Sequence, residues 1–328
     1  MRLGVSLAVG ILMTIASSSI SRPRTPRDVG TIAWKLQREI ILLLAWAPAI
    51  LLQLAHPLVA QGVADHSTFR SASWGRVRRF QRTLDAMLRL SFGTEAEARL
   101  VIARINAIHD NVQGRLREVA GVFPAGTRYS AHDPSLLAWV HATLVDMNLR
   151  VYELFVDCPS VEEKDRYCAE ASAIEERLGI PEGRLPRTFG ALRQYMDTML
   201  AGGEIAVTSV ARELARDILY PPAFLALRPA IWWTRLATVG LLPPTIREGY
   251  RLPWDSRKEG MLSWSASLIR TLLPLTPSIV RHWPAARGAQ RADGQAGCPF
   301  IRLQTTAHDV LLRVSGGRPR RRQADRWK

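Results

Sequence analysis

Cysteine is scarce in this chain. There are three among 328 residues, Cys158, Cys168 and Cys298, with no C-x-x-C pair. The odd count and the spacing exclude a disulfide framework and a thiolate zinc finger, and they suit a reducing compartment. Aromatic residues are few, at 7%. Acidic residues are outnumbered, 29 against 44 Lys and Arg, giving a net charge of +15. Much of that excess sits at the ends. Residues 1–30 carry four Arg against one Asp, and residues 288–328 carry nine Lys or Arg against three Asp. A solvated basic tail explains this, and with no finger, Walker loop or RNA-binding signature beside it, no nucleic-acid partner is expected.

Several catalytic signatures are missing as well. None of the seven histidines has an acidic residue three positions before it, which removes a ferritin-like di-iron site built on Glu-x-x-His. HExxH, GxSxG and a GxGxxG at a strand–helix junction are all absent. Nothing points to a nucleotide cofactor.

Strand alternation and hairpin dipeptides are also lacking, so the chain reads as all-α. Helices are expected near 33–46, 49–64, 73–91, 95–118, 134–155, 160–177, 187–201, 204–217, 223–238 and 258–273. Thr94-x-x-Glu97 is a capping box, Asp133-Pro134 an N-cap followed by a first-turn proline, and Gly179 with Pro181 a helix stop. This gives one helical domain over 31–287, a leader and linker over 1–30, and a basic, disordered tail over 288–328. The leader "MRLGVSLAVGILMTIASSS" has the layout of a signal peptide. A cytoplasmic location, with or without membrane association, is favoured over export.

From Ile40 to Ala64 no residue is charged, which is long enough to span a bilayer. Pro48, Gln53, His56, Pro57 and Gln61 interrupt it, and Asp65-His66-Ser67 closes it. Each polar group would need a protein partner in lipid, so a kinked pair of core helices is the better reading. Peripheral membrane contact is compatible with it.

Candidate chemistry rests on scattered residues. Arg79, Arg82 and Thr83 share one helical face, with a solvated basic face as the plain explanation. His109 falls on the apolar face set by Val101, Ile105, Ile108 and Val112, and His141 lies in a helix apolar on nearly every side. A buried imidazole must hydrogen-bond a neighbour or coordinate a metal, so each is either a satisfied core histidine or a ligand.

These residues sit among landmarks that resemble the rubber oxygenase (latex clearing protein) and ER-bound oxygenase superfamily. The landmarks are Arg38-Glu39, "LLQLAHPLVAQGVADHS", "RRFQRTL", "SFGTEAEA", "INAIHDNVQG", "YSAHDPSLLAWVHATLV" and "LLPPTIREGYRLPW", in that order between Trp34 and Pro284. The resemblance implies an all-helical domain with globin-like, orthogonal packing around a haem-sized pocket, and a haem-dependent oxygenase that uses O₂ on an apolar, isoprenoid or lipid-like substrate. It makes haem b the cofactor and His109 the iron ligand. Arg79, Arg82 and Thr83 become the distal face, Asp65 the acidic residue that takes a substrate proton, and His141 a further histidine at the cofactor site. Arg82 stands where the family has lysine. A guanidinium stays protonated and is a poor iron ligand, but it can donate to oxygen or a propionate. The alternative reading is a membrane-associated helical binding or structural protein without a cofactor. Oligomeric state is not encoded in these patterns.

Overall fold

The computed structural model describes residues 29–66, 73–220 and 228–296. The domain is helical, with one small sheet. Helix α1 (Ile32–Gln37) leads through a 3₁₀ turn (Ile40–Ala45) into α2 (Trp46–Leu54) and α3 (Pro57–His66). Then follow α4 (Ser73–Phe92), α5 (Glu95–His109), β1 (Gln113–Arg115), β2 (Arg128–Ser130), α6 (Pro134–Phe155), α7 (Val161–Ser172), α8 (Glu175–Leu178) and α9 (Phe189–Ala201). The chain continues through α10 (Ser209–Leu219), α11 (Arg228–Leu241), α12 (Pro244–Gly249), α13 (Ser256–Leu272), a 3₁₀ turn (Leu273–Leu275), α14 (Ser278–Arg281) and α15 (Pro284–Ala296).

The expected capping signals work as read. Thr94 and Glu97 form a reciprocal capping box on α5. Asp133 accepts from Ser135 N–H ahead of Pro134, and Gly179 ends α8 at φ 69°. The charge-free run is core. It packs against α6, α10 and α11, with Ala49, Leu51 and Leu52 fully buried. No single described helix is long and apolar enough to cross a membrane, and α2 with its preceding turn meets α3 at 104°. Pro48 falls in the first turn of α2, where its missing N–H leaves no bond unmade. At the bend, Ala55 O accepts from Ala206 N–H and Leu51 O from Tyr250 Oη, at 2.9 and 2.7 Å.

Four expectations shift. The helix expected over 95–118 stops at His109, because Asp110 and Asn111 turn the chain. Asn111 donates to Ala107 O, the local competition that disfavours these residues in helix interiors. A two-stranded antiparallel sheet follows, pairing Gly114 with Tyr129. The segment expected as helix 204–217 begins at Ser209, after Gly203 takes a left-handed φ of 79°. Helix α15 carries order past 287 into the expected tail. Residues 1–28 and 297–328 lie outside the described residues.

Buried charges tie the helices together. Glu39, 1% exposed, pairs with Arg281 at 2.7 Å and faces His282 at 3.3 Å. Asp146 on α6 bridges Arg150 and Arg193 of α9. Glu175 accepts from Leu185 N–H and Arg187.

Candidate functional site

The polar groups of the charge-free run all find partners. Gln53 donates to Val140 O and Thr143 Oγ1 at 3.3 and 3.2 Å. His56 is the N-cap of α3. Its carbonyl accepts from Ala60 N–H, and its Nδ1 accepts from Leu58 N–H. Burial pulls its pKa down to about 4, with Asp133 opposing. Gln61 donates to Asp65 at 3.0 Å, so the helix that begins in the core delivers the carboxylate at its far end.

Asp65 anchors a compact polar cluster. Beside Gln61, its carboxylate accepts from Tyr129 Oη at 2.8 Å and from the Arg117 guanidinium. Burial pushes the carboxyl up, but the hydrogen bonds from Gln61 and Tyr129, with Arg117, outweigh it and hold the pKa below the usual range. Tyr129 moves the opposite way, driven up by burial and by the Asp65 carboxylate. Next door, His66 Nε2 pairs with Gln113 O at 3.0 Å. Gly114 allows this arrangement: a Cβ there would run into the Tyr129 ring and hydroxyl.

The same hairpin reaches His109. Val112 N–H donates to His109 O, and Ala131 N–H to Val112 O, so the end of α3 and the end of α5 meet on one short sheet. His109 is half-buried, and its Nδ1 is shielded without a hydrogen-bond partner among the described residues. Burial first, then the nearby His132, hold its pKa below the ordinary value against the pull of Asp110. The two imidazoles meet edge to face, with centroids 5.8 Å apart, and His132 is tied to Asp110 at 2.8 Å.

Arg82 and Thr83 are exposed on α4, which packs along α5. The side chain of Arg79 lies outside the described residues. The turn between these helices is fixed by Arg89, which reaches Asp85 and Glu97 at 2.9 and 3.0 Å. His141 belongs to another neighbourhood. It hydrogen-bonds the backbone of Ala171 on α7, its Nε2 is shielded and unpartnered, and burial lowers its pKa to about 4. The structure therefore brings Asp65 and His109 to one hairpin, sets Arg82 and Thr83 on the adjoining helix, and turns His141 toward α7.

Sequence reasoning missed Arg117 and Tyr129. Both lie in or beside a sheet too short for a period, so no pattern flags them. Two cavities also lie elsewhere. One of about 640 Å³ is lined by Arg247, Arg251 and Trp254, and one of about 150 Å³ by Tyr220, Trp232 and Trp254. Neither is lined by His109, Arg82, Thr83, Asp65 or His141.

The family model described as ER-bound oxygenase mpaB/B'/Rubber oxygenase, catalytic domain, matches residues 34–271. The chain belongs to that family, and its domain is an oxygenase catalytic domain. No curated protein and no solved structure matches it.

Proposed function

We propose that this oxygenase depends on haem b, holds the iron through His109, and acts with O₂ on an apolar, isoprenoid or lipid-like substrate. The observation that carries the reading is the state of His109. Burial holds its pKa below the ordinary value, and a shielded ring nitrogen has no partner among the described residues. Such a group is costly unless a ligand occupies it or takes its proton. Among the described residues no group of three or more His, Cys, Asp or Glu could hold a bare metal ion. A porphyrin brings four nitrogens of its own and needs one protein ligand, so the donor set fits haem.

Haem, when bound, supplies the activation of O₂. The chain's own residues supply position and charge. His109 presents a lone pair because burial keeps the proton off the ring. The Arg82 guanidinium has donors and no lone pair to offer iron, so it would hydrogen-bond a propionate or another acceptor. Thr83, next in sequence, would add a hydroxyl donor. Asp65 is a weak base while Gln61, Tyr129 and Arg117 hold it. Accepting a substrate proton requires release of Arg117 or Tyr129. In the arrangement seen, Asp65 fixes the hairpin that carries His109.

The test is the absorbance spectrum of the protein purified after expression with added haem precursor. A Soret band is expected, and it should vanish in His109→Ala while the far-ultraviolet dichroism stays helical. A colourless wild-type protein would overturn the reading and favour a cofactor-free binding protein.

A further inference from the structure

The charge-free run is buried, yet a different part of the chain shows apolar surface. On α13, Trp264, Leu268 and Leu272 follow one another at helical spacing on one face, and they are 69%, 42% and 50% exposed. The inner face of the same helix, with Leu262 and Ala266, is buried. The row continues without a break. Thr276 N–H closes on Leu273 O, and Leu275, Ile279 and Val280 are 78%, 65% and 64% exposed. Single exposed apolar residues need no explanation, but a contiguous row of large ones does.

Charge separates the occupants. Between Glu259 and Asp293 the sequence has no acidic residue; of its arginines, Arg281 is already paired with Glu39, Arg287 and Arg291 lie on α15, and Arg270 belongs to this face. Arg270 is exposed and contacts Cys158 Sγ at 3.8 Å, with no carboxylate paired to it among the described residues. A second copy set face to face here would bring the two Arg270 guanidiniums together with no acidic residue of the face to oppose them. An anionic lipid surface would neutralise them, and tryptophan with arginine at the edge of an aliphatic row is the composition of an interfacial face. The face is firmly mounted. Glu39, 1% exposed, holds Arg281, and Trp283 N–H donates to Arg38 O, so α14 is bonded to the core.

We propose that the outer face of α13, the following 3₁₀ turn and α14 form a docking surface for an anionic bilayer. The proposal is independent of the haem reading. The purified full-length chain is mixed with sucrose-loaded vesicles, either of phosphatidylcholine alone or with about one third phosphatidylglycerol. Sedimentation with the anionic vesicles is expected, falling with added salt. Leu275→Asp and Ile279→Asp should each lower the bound fraction on the order of tenfold, since a carboxylate must enter the interface. Their melting temperatures should be unchanged, because both side chains are exposed. Trp264→Ser should act in the same direction. Failure of the wild type to sediment overturns the proposal. Equal sedimentation of the variants also overturns it, assigning binding to another segment such as the apolar stretch 3–15. So does a Leu275→Asp variant that splits a dimer by light scattering and leaves vesicle binding intact.

Discussion

Acid should weaken this fold through His56, by an amount the structure sets. The ring is 2% exposed, and its Nδ1 must be unprotonated to accept from Leu58 N–H. Protonation removes that cap, buries a charge, and places it at the positive end of α3. Burial moves the pKa from 6.5 to about 4, with Asp133 pulling the other way. At about 1.4 kcal/mol per unit, the neutral form stabilises the folded state by about 3 kcal/mol relative to the charged one. The folded pKa lies below the unfolded one, so the unfolded chain binds the extra proton. The contribution is therefore complete above pH 6.5 and is lost as pH falls toward 4. By pH 5, about 2 kcal/mol should be gone through this residue. His141, whose pKa is also lowered to about 4 by burial, adds a loss of the same sign.

The assay is urea unfolding, followed by tryptophan fluorescence, at several pH values between 7 and 4.5. His56→Asn separates the cap from the proton, because asparagine caps a helix without titrating over this range. At pH 7 the variant should lose on the order of 1 kcal/mol. On acidification it should lose clearly less than the wild type, leaving mainly the His141 share. An identical acid dependence in His56→Asn and the wild type would refute the argument, since His56 would then titrate alike in both states.

Other perturbations follow from the same contacts. Glu39→Ala leaves Arg281 without its buried partner and should cost on the order of 3–5 kcal/mol, read as a lowered urea midpoint. Gly114→Ala drives a methyl into the Tyr129 ring and should cost about 1–3 kcal/mol, with the Asp65 cluster disrupted. Tyr129→Phe removes one bond to Asp65 and should cost about 1 kcal/mol. In that variant the Asp65 carboxyl should titrate higher, because a bond that lowers its pKa is gone, and side-chain carboxyl NMR can follow it.

What could be read from the sequence depended on how local the signal was. The capping box at Thr94, the Asp133-Pro134 start of α6 and the Gly179 stop each act within a few residues, and the structure keeps them. The end of α5 was harder. The apolar spacing through Val112 continues the helical period, but Asp110 and Asn111 spend their side chains on His132 and Ala107 and turn the chain. His109 could be picked out by its place on an apolar face. Its unpartnered nitrogen and its link to Asp65 through the hairpin depend on residues far apart in sequence, as do Arg117 and Tyr129. Arg82 and Thr83 read as a solvated basic face, and they are exposed.

Hydropathy alone marks Ile40–Ala64 as the membrane candidate. A window over Ile40–Ala64 registers length and lack of charge, but it cannot register that Gln53, His56 and Gln61 already have protein partners. Those bonds show that the run faces protein, since lipid would leave each group unsatisfied. The segment from Trp264 to Val280 carries Arg270 with serine, threonine and proline, and it is divided among three helical pieces. One row of its apolar side chains, from Trp264 to Val280, however, points outward, and its polar ones bond to nearby backbone, as Ser265 does to Leu262 O and Thr276 to Leu272 O. What distinguishes a core helix from an interfacial one is therefore which groups are already satisfied and which way the apolar side chains face. On that criterion the uncharged stretch supports the oxygenase core, and the arginine-bearing one is the surface available to lipid.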